Sequence, residues 1–163
     1  LEVLQCNSTS IEDLGNNYPD LVQLSCNRTR IDSIPYYPNL AKLDCSVNSL
    51  SELKLYPRLV DLNCSNNNIS ELPLYPKLQK LHCSSNNIEE IPNYRNLIDL
   101  ECSMNELIEI TYYPKLKILN CESNNINKIS QLPELVILNC SKNELINLPY
   151  FSKLLWLDCS DNE

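Results

Sequence analysis

The nine cysteines are the side chains of this 163-residue chain with the most chemistry available to them. They could ligate a metal, pair as disulfides or act as nucleophiles. A zinc site needs clustered ligands such as C-x-x-C, which the sequence lacks, and an odd number of cysteines cannot all pair internally. We therefore expect no metal site, and unpaired cysteines that fill the core of an intracellular protein in a reducing compartment. Their spacing is nearly constant: Cys6, Cys26, Cys45, Cys64, Cys83, Cys102, Cys121, Cys140 and Cys159.

The single histidine, His82, is the one candidate for acid–base catalysis. Ser84 lies two residues on, and Glu101 holds the position of His82 one cysteine interval later. If these residues lie on strands, His82 and Ser84 are about 6–7 Å apart, beyond the roughly 3 Å that a nucleophile and its base require. A single glycine also leaves no glycine-rich oxyanion turn. We expect no catalytic residue and no cofactor, and a hydrolase centred on His82 is the least favoured alternative.

The cysteine spacing belongs to an internal repeat. The first interval is 20 residues and the next seven are 19, a period that indicates a solenoid. Leucine stands five and two residues before every cysteine, and asparagine three after it, except at Thr9 and Thr29. The consensus is L-x-x-L-x-C-x-x-N-x-I-x-x-L-P-x-Y-P-x. The nine repeats begin at Leu1, Leu21, Leu40, Leu59, Leu78, Leu97, Leu116, Leu135 and Leu154.

This consensus resembles that of the leucine-rich repeat family over essentially the whole chain. Its length and its L-P-x-Y-P segment are similar to the shortest repeats, those of bacterial effector proteins. The C-S-x-N variant is also similar to repeat proteins of large amoebal DNA viruses. The resemblance implies a right-handed solenoid with a parallel β-sheet on its concave face. In the effector relatives, catalysis is carried by a separate domain.

The physical chemistry of one repeat predicts the same architecture. Alternating leucine and cysteine indicate a short strand with one buried face, and nine such strands can stack in parallel about 4.8 Å apart. Nineteen residues with two prolines favour an extended or 3₁₀ convex side and almost no α-helix. The repeated asparagine can satisfy backbone groups where each strand turns. The tyrosine ring is expected to pack on the core with its hydroxyl in water.

The repeats form one continuous array over residues 1–163. The chain begins on the first predicted strand and ends just past the last asparagine, without separate caps. Because repeat arrays usually need polar caps, we expect a fragment that lacks its end caps, or ends that pair with something, including end-to-end self-association.

The charge balance argues against some partners. Thirteen Lys and Arg residues against 21 Asp and Glu residues give a net charge of −8, which disfavours nucleic acid and anionic lipid. No stretch is apolar enough to span a membrane. One edge of the strand face is predicted to be acidic and the other partly basic, which indicates a solvated surface, steering of a basic partner or weak Ca²⁺ capture. These columns include Glu52, Glu71, Glu90 and Glu109, and Arg58, Lys77, Lys115 and Lys153.

The variable residues lie on the predicted concave face. They alternate with the repeated leucine and cysteine, as expected of a binding surface carried on a scaffold. We predict a non-enzymatic module that binds a protein partner there, in the cytoplasm, or in a host cytoplasm if it is an effector. The alternative is a structural array that spaces or assembles other domains. The predicted partner-binding residues are Ile118, Ile137, Trp156, Asp99, Glu101, Lys80, His82 and Asp61.

Overall fold

The computed structural model describes residues 1–163 and contains only strands, turns and extended segments. No helix in it could cross a membrane. The strands are β1 (Val3–Gln5), β2 (Gln23–Ser25), β3 (Lys42–Asp44), β4 (Asp61–Asn63), β5 (Lys80–His82), β6 (Asp99–Glu101), β7 (Glu109–Ile110), β8 (Ile118–Asn120), β9 (Lys128–Ile129), β10 (Ile137–Asn139) and β11 (Trp156–Asp158).

Nine of these strands form one parallel sheet in the order β1-β2-β3-β4-β5-β6-β8-β10-β11. Each strand pairs with the equivalent strand of the next repeat in register, so that Leu62, for example, pairs with Leu81. This confirms the predicted solenoid of nine coils with a parallel sheet. Because the register never slips, each column of the repeat becomes a line of side chains running along the molecule.

The return side of the coils is extended, as predicted, and it forms no 3₁₀ turn. It also contains a small second sheet that the sequence did not predict, in which β7 pairs in parallel with β9. Glu109 lies opposite Lys128, and the buried Ile110 lies opposite the buried Ile129. Two adjacent coils thus pair their backbones on both sides.

The core is the stack of repeated apolar side chains. In the coil from Leu59, the residues Leu59, Leu62, Cys64 and Ile69 are all fully buried. Burying a leucine or isoleucine side chain stabilises by about 1.5–3 kcal/mol. An isolated coil would lose this stabilisation, because its core side chains are covered by the side chains of the two adjacent coils.

The repeated asparagine ties each coil to the one before it. The side-chain amide of Asn67 donates to the carbonyls of Cys64 and Cys45, at 3.0 and 3.1 Å. Its Oδ1 accepts from the backbone N–H of Leu50 at 3.0 Å. The same arrangement recurs at Asn86, Asn105, Asn124, Asn143 and Asn162. This confirms that the asparagine occupies the turn and satisfies backbone groups of two coils.

The two threonines at this position replace only part of that network. The hydroxyl of Thr9 donates to Cys6 O, and that of Thr29 to Cys26 O. Thr29 does not donate to Cys6 O of the preceding coil, the bond that the longer asparagine side chain makes elsewhere, and Thr9 has no preceding coil. The first coils are therefore less firmly connected, as the sequence predicted.

Every turn after a strand of the nine-stranded sheet contains a residue in the left-handed region. It stands two residues after the cysteine in all nine repeats and is never glycine. The φ angles lie between 52° and 58°, and a β-branched residue, Val47, adopts φ 56°. Left-handed backbone costs an L-residue roughly 1–2 kcal/mol, so the asparagine hydrogen bonds beside it must offset a local strain.

The tyrosine hydroxyls do not reach water, and the expectation that they would was wrong. Tyr37, Tyr56, Tyr75, Tyr94 and Tyr113 are all buried. The rings of Tyr56 and Tyr75 stack with centroids 6.5 Å apart. Each hydroxyl donates to a backbone carbonyl of the preceding coil, as Tyr94 does to Pro73 O at 2.7 Å. A carbonyl of the return segment, which has no strand partner, thereby gains a donor.

The residues after these tyrosines turn the chain back into the next strand. The N–H of Leu59 donates to Tyr56 O at 3.1 Å, which closes a β-turn with Pro57 at its second position. The fixed φ of proline suits that position, which explains the repeated Tyr-Pro pair. The same turn forms at Tyr94, where arginine replaces proline.

The two terminal coils expose residues that are buried elsewhere. Leu157 is 44% exposed, whereas Leu138, its in-register partner in β10, is fully buried. Cys159 is likewise exposed, so the expectation that every cysteine is buried was wrong at this one position. The cause is that no coil packs beyond β11.

Candidate binding face

The outward side of the nine-stranded sheet, here called the sheet face, carries the first and third residue of every strand. The middle residue is a leucine that points into the core, so its neighbours must point away from it. In β6 this places Asp99 and Glu101 on the sheet face around the buried Leu100. The structure places all eight residues predicted to bind a partner on this face.

An apolar strip occupies the C-terminal third of the sheet face. Ile118, Ile137 and Trp156 are aligned by the register of β8, β10 and β11. Ile137 is 38% exposed and Trp156 is 50% exposed, whereas Ile118 is partly buried. At the strand spacing of a parallel sheet, the strip is roughly 10 Å long.

A charged cluster borders the apolar strip at β5 and β6. His82 lies opposite Glu101, and Lys80 lies opposite Asp99. His82 Nε2 is 3.6 Å from Asp99 Oδ2, and His82 Nδ1 is 3.9 Å from Glu101 Oε2. Lys80 Nζ is 4.0 Å from the same Asp99 oxygen. These separations are too long for hydrogen bonds, so the side chains lie close together without forming a bonded network.

Asp61 and Lys42 lie further along the same column. The sequence suggested that Lys42, Asp61, Lys80 and Asp99 could neutralise one another in pairs. Among these neighbours only Lys80 and Asp99 come within ion-pair distance. Asp61 faces an open groove that Lys42, Asn63 and His82 also line.

The residues directly before the cysteines form a column in which several side chains stabilise turns, a role that the sequence did not predict. Asp44, Asn63, Asn120, Asn139 and Asp158 each accept a hydrogen bond from the backbone N–H two residues ahead. Such bonds are the standard way in which Asp and Asn stabilise a turn. His82 and Glu101 hold the same column and make no such bond. Their side chains are thus free of the scaffold.

The geometry gives no support to hydrolase chemistry at His82. Ser84, the candidate nucleophile, accepts a hydrogen bond at 3.0 Å from the hydroxyl of Ser103 on the next coil. His82 makes no hydrogen bond to it. A nucleophile and its base should lie within about 3 Å of each other.

Contrary to the prediction, the acidic column does not follow an edge of the sheet face but lies on the return side of the coils, where Glu109 belongs to β7. It lines an open pocket beside the return segments of the two coils starting at Leu59 and Leu78. Its walls are Ser70, Glu71, Leu72, Glu89, Glu90 and Pro92. The carboxylates are exposed and carry no counter-charge within ion-pair distance. Of the predicted basic column, Lys153 pairs with Glu134 at 2.6 Å, and Lys115 donates to Asn96 at 2.8 Å.

The buried cysteines have little nucleophilic or metal-binding reactivity. All nine cysteines are unpaired and eight are buried. Burial raises the pKa of the Cys64 thiol to about 12, and it raises the pKa of Cys83 and Cys102 well above the usual range. Since the thiolate is the reactive form, these thiols are poor nucleophiles and poor metal ligands at neutral pH.

The repeat, the in-register parallel sheet and the asparagine column define the class: the chain is a leucine-rich repeat solenoid of the short, bacterial effector-like type. Proteins of this class are typically interaction scaffolds rather than enzymes. No protein-family model and no curated protein matches the chain.

Solved structures of leucine-rich repeat proteins superpose closely on it. YopM from Yersinia enterocolitica is 35% identical, with a TM-score of 0.95 over 99% of this chain and 38% of its own. The functional domain of InlJ from Listeria monocytogenes, which includes a cysteine ladder, is 27% identical, with a TM-score of 0.85 over 97% of this chain and 39% of its own. A leucine-rich repeat protein of Leptospira interrogans is 26% identical, with a TM-score of 0.67 over 77% of this chain and 38% of its own. The chain thus spans about two fifths of the length of YopM and InlJ.

Proposed function

We propose that the chain is a non-enzymatic module that binds a protein partner on its sheet face, which is the concave side in solenoids of this class. The observation that carries the proposal is the apolar strip of Ile118, Ile137 and Trp156. Trp156 is half exposed and Ile137 is more than a third exposed. The neighbouring column of the sheet face, directly before the cysteines, is polar. Interface energy concentrates at such anchors when polar residues surround them.

The charged cluster supplies the polar border of this site. Asp99 and Glu101 lie on the strand next to Ile118, and Lys80, His82 and Asp61 lie on the two strands beyond. Because His82 and Glu101 make no turn-stabilising bond, they can rearrange towards a partner at no cost to the scaffold. The partner is a folded protein or peptide with an apolar centre and a flanking charged segment.

A spacer array that only assembles other domains is the alternative. Such an array has no need of an exposed apolar strip on its sheet. The acidic pocket of Glu71 and Glu90 could instead attract a basic partner to the opposite side of the coil. The experiment below distinguishes these alternatives.

Site-specific photo-crosslinking tests the proposal. A photoreactive residue is placed at position 137 on the sheet face, at position 90 in the acidic pocket, or at position 55 as an exposed control. Crosslinked proteins are identified by mass spectrometry. A partner captured at 137 and not at 55 or 90 supports the proposal, and its affinity is then measured with purified components. Capture only at 90, or equal capture at all three positions, would contradict it.

We also propose that the protein works in a reducing, intracellular compartment, because its nine cysteines are unpaired in the native fold. Thiol counting on protein purified from its native source under alkylating conditions tests this. Nine free thiols are expected, and two or more bridged cysteines would overturn it.

A further inference from the structure

The geometry points to a divalent transition-metal site on the sheet face, formed by His82, Asp99 and Glu101, which takes Zn²⁺ or a similar ion independently of any protein partner. The sequence offered one histidine and no clustered cysteines, so no metal site was expected. The fold supplies one by bringing three residues from two strands together. One ligand atom from each residue lies within 4.8 Å of the others.

The register of two strands creates this cluster. His82 is the last residue of β5, and Asp99 and Glu101 are the first and last residues of β6. Because Leu81 and Leu100 point into the core, all three donor groups must point to the same side. His82 lies directly opposite Glu101 and diagonally opposite Asp99, so its ring stands between the two carboxylates.

Two atoms of the cluster are shielded from solvent and have no partner. They are His82 Nε2 and Asp99 Oδ1, two of only three such side-chain atoms in the chain. A buried polar atom without a hydrogen bond costs about 1–3 kcal/mol, and an ion is one of the groups that would satisfy it. These two atoms belong to side chains that approach within 3.6 Å of each other, between His82 Nε2 and Asp99 Oδ2, and both residues can ligate a metal, which indicates a common ligand.

The separation of His82 and Asp99 suits a first-row ion after a small side-chain adjustment, and Glu101 requires a larger one. Tetrahedral ligands at 2.0–2.1 Å from zinc are about 3.3 Å apart. His82 Nε2 and Asp99 Oδ2 are 3.6 Å apart, so rotation of one carboxylate brings them to that distance. Glu101 Oε2 lies nearest to the other ring nitrogen, 3.9 Å from His82 Nδ1, so this side chain must turn towards Nε2 to complete the set. It is partly exposed and free of the turn network, which permits that movement. One imidazole with two carboxylates favours Zn²⁺, Co²⁺ or Ni²⁺ over Ca²⁺.

Lys80 is the natural competitor of the ion. Its Nζ is 4.0 Å from Asp99 Oδ2 and neutralises part of the charge that a cation would meet. The Lys80 side chain is 55% exposed, so it can swing into solvent when an ion enters. Three protein ligands leave at least one coordination position, which faces outward for water or another group.

Calorimetric titration of the chain with ZnCl₂ tests the proposal. It uses a Cys159→Ser background, because that thiol alone among the cysteines is exposed. One ion per chain is expected. His82→Ala should weaken binding at least about tenfold, since even the loss of a residue that only hydrogen-bonds to a metal ligand lowers metal affinity about 10–100-fold. Glu101→Gln should weaken it too, whereas Lys80→Gln should tighten it. Glu90→Gln removes a carboxylate from the acidic pocket and should change nothing.

Cobalt(II) absorption provides the second readout. A site of nitrogen and oxygen ligands lacks the intense sulfur-to-metal charge-transfer band that cysteine ligation produces. The expected spectrum shows only the weaker d–d bands, and His82→Ala abolishes them while the melting temperature is unchanged. Absence of binding at millimolar ZnCl₂, binding that survives His82→Ala, or a charge-transfer band in the Cys159→Ser chain would each overturn the proposal.

Discussion

The side-chain amide of Asn86 donates a hydrogen bond at 3.0 Å to the backbone carbonyl of Cys64, which lies 22 residues earlier in the chain. The same amide donates to Cys83 O, and Asn86 Oδ1 accepts from Ile69 N–H, both at 3.0 Å. One side chain thus connects two coils at the point where the sheet ends, and the column of such residues runs along the array.

Removing one member of this column should destabilise the fold. Asn86→Ala leaves the N–H of Ile69 without a partner, and Asn105→Ala does the same to the N–H of Ile88. Each substitution also removes one of the two side-chain donors to a cysteine carbonyl in each of two coils, and should lower the free energy of unfolding by about 1–3 kcal/mol. Urea unfolding followed by circular dichroism measures this. An Asn105→Ala chain that unfolds with the parent would show that the asparagine does not stabilise the turn.

The first two coils, which carry threonine in place of the asparagine, allow the reverse test, in which introducing asparagine should increase stability. Thr29→Asn should add a bond to Cys6 O, which receives a side-chain donor only from Thr9, and should stabilise by about 0.5–1.5 kcal/mol. Thr9→Asn has no preceding coil to reach and should be neutral or mildly stabilising. Equal effects of the two substitutions would contradict the inter-coil explanation.

Strain at the left-handed turn residues predicts a reciprocal pair of substitutions. Val47 has φ 56° and Asn66, in the next coil, has φ 58°. Asparagine tolerates this region far better than a β-branched residue does. Val47→Asn should raise the free energy of unfolding by roughly 0.5–1 kcal/mol, and Asn66→Val should lower it by a similar amount. Thermal unfolding of both variants checks this, and changes of the same sign would refute it.

Alkaline pH should destabilise the fold through its buried thiols. Burial raises the pKa of Cys64 to about 12, above the ordinary value of 9.0. The folded state therefore favours the neutral thiol, a stabilisation that is complete below about pH 9 and is lost as the pH rises towards 12. The free energy of unfolding should fall in that range, by up to about 1.4 kcal/mol per pH unit for each such group.

Urea unfolding at several pH values between 8 and 11 measures that slope. Cys64→Ala removes one titrating group and should show a smaller pH dependence than the parent, although it is less stable at pH 8 because of the cavity it creates. Stability that is constant from pH 8 to pH 11 would contradict the burial of these thiols.

Native thiol reactivity should distinguish the last coil from the others. Eight cysteines are buried and Cys159 is exposed. A bulky thiol reagent should modify one cysteine rapidly in the native state and nine in denaturant, with Cys159→Ser abolishing the fast phase. Mass spectrometry of the labelled chain gives both counts. Several fast sites in the native protein would mean that the coils open more readily than the packed cysteine column allows.

The repeat predicted the solenoid, the strands and the asparagine turns because each depends on the spacing of residue types along one coil. Two particular contacts between coils were missed. The tyrosine hydroxyls find carbonyls of the preceding coil, and β7 and β9 pair where two return segments become parallel. The sequence placed Glu101 beside His82 but did not indicate that Asp99 joins them, because Asp99 is a diagonal neighbour whose approach depends on strand register and side-chain direction. Asp44 and Asn63 stood among variable residues, although their short side chains stabilise turns.

If the sheet face binds the partner and the asparagine column only stabilises the fold, substitutions in the two should affect affinity and stability separately. The most direct measurement compares melting temperature and affinity for the crosslinked partner in the chain with Ile118→Ser and Ile137→Ser together and in the chain with Asn105→Ala. We predict that the double serine variant loses at least about tenfold in affinity with little change in melting temperature, whereas Asn105→Ala loses stability and keeps its affinity below its melting point. A double serine variant that binds like the parent, or that melts as early as Asn105→Ala, would show that this apolar strip is not a binding site separate from the scaffold.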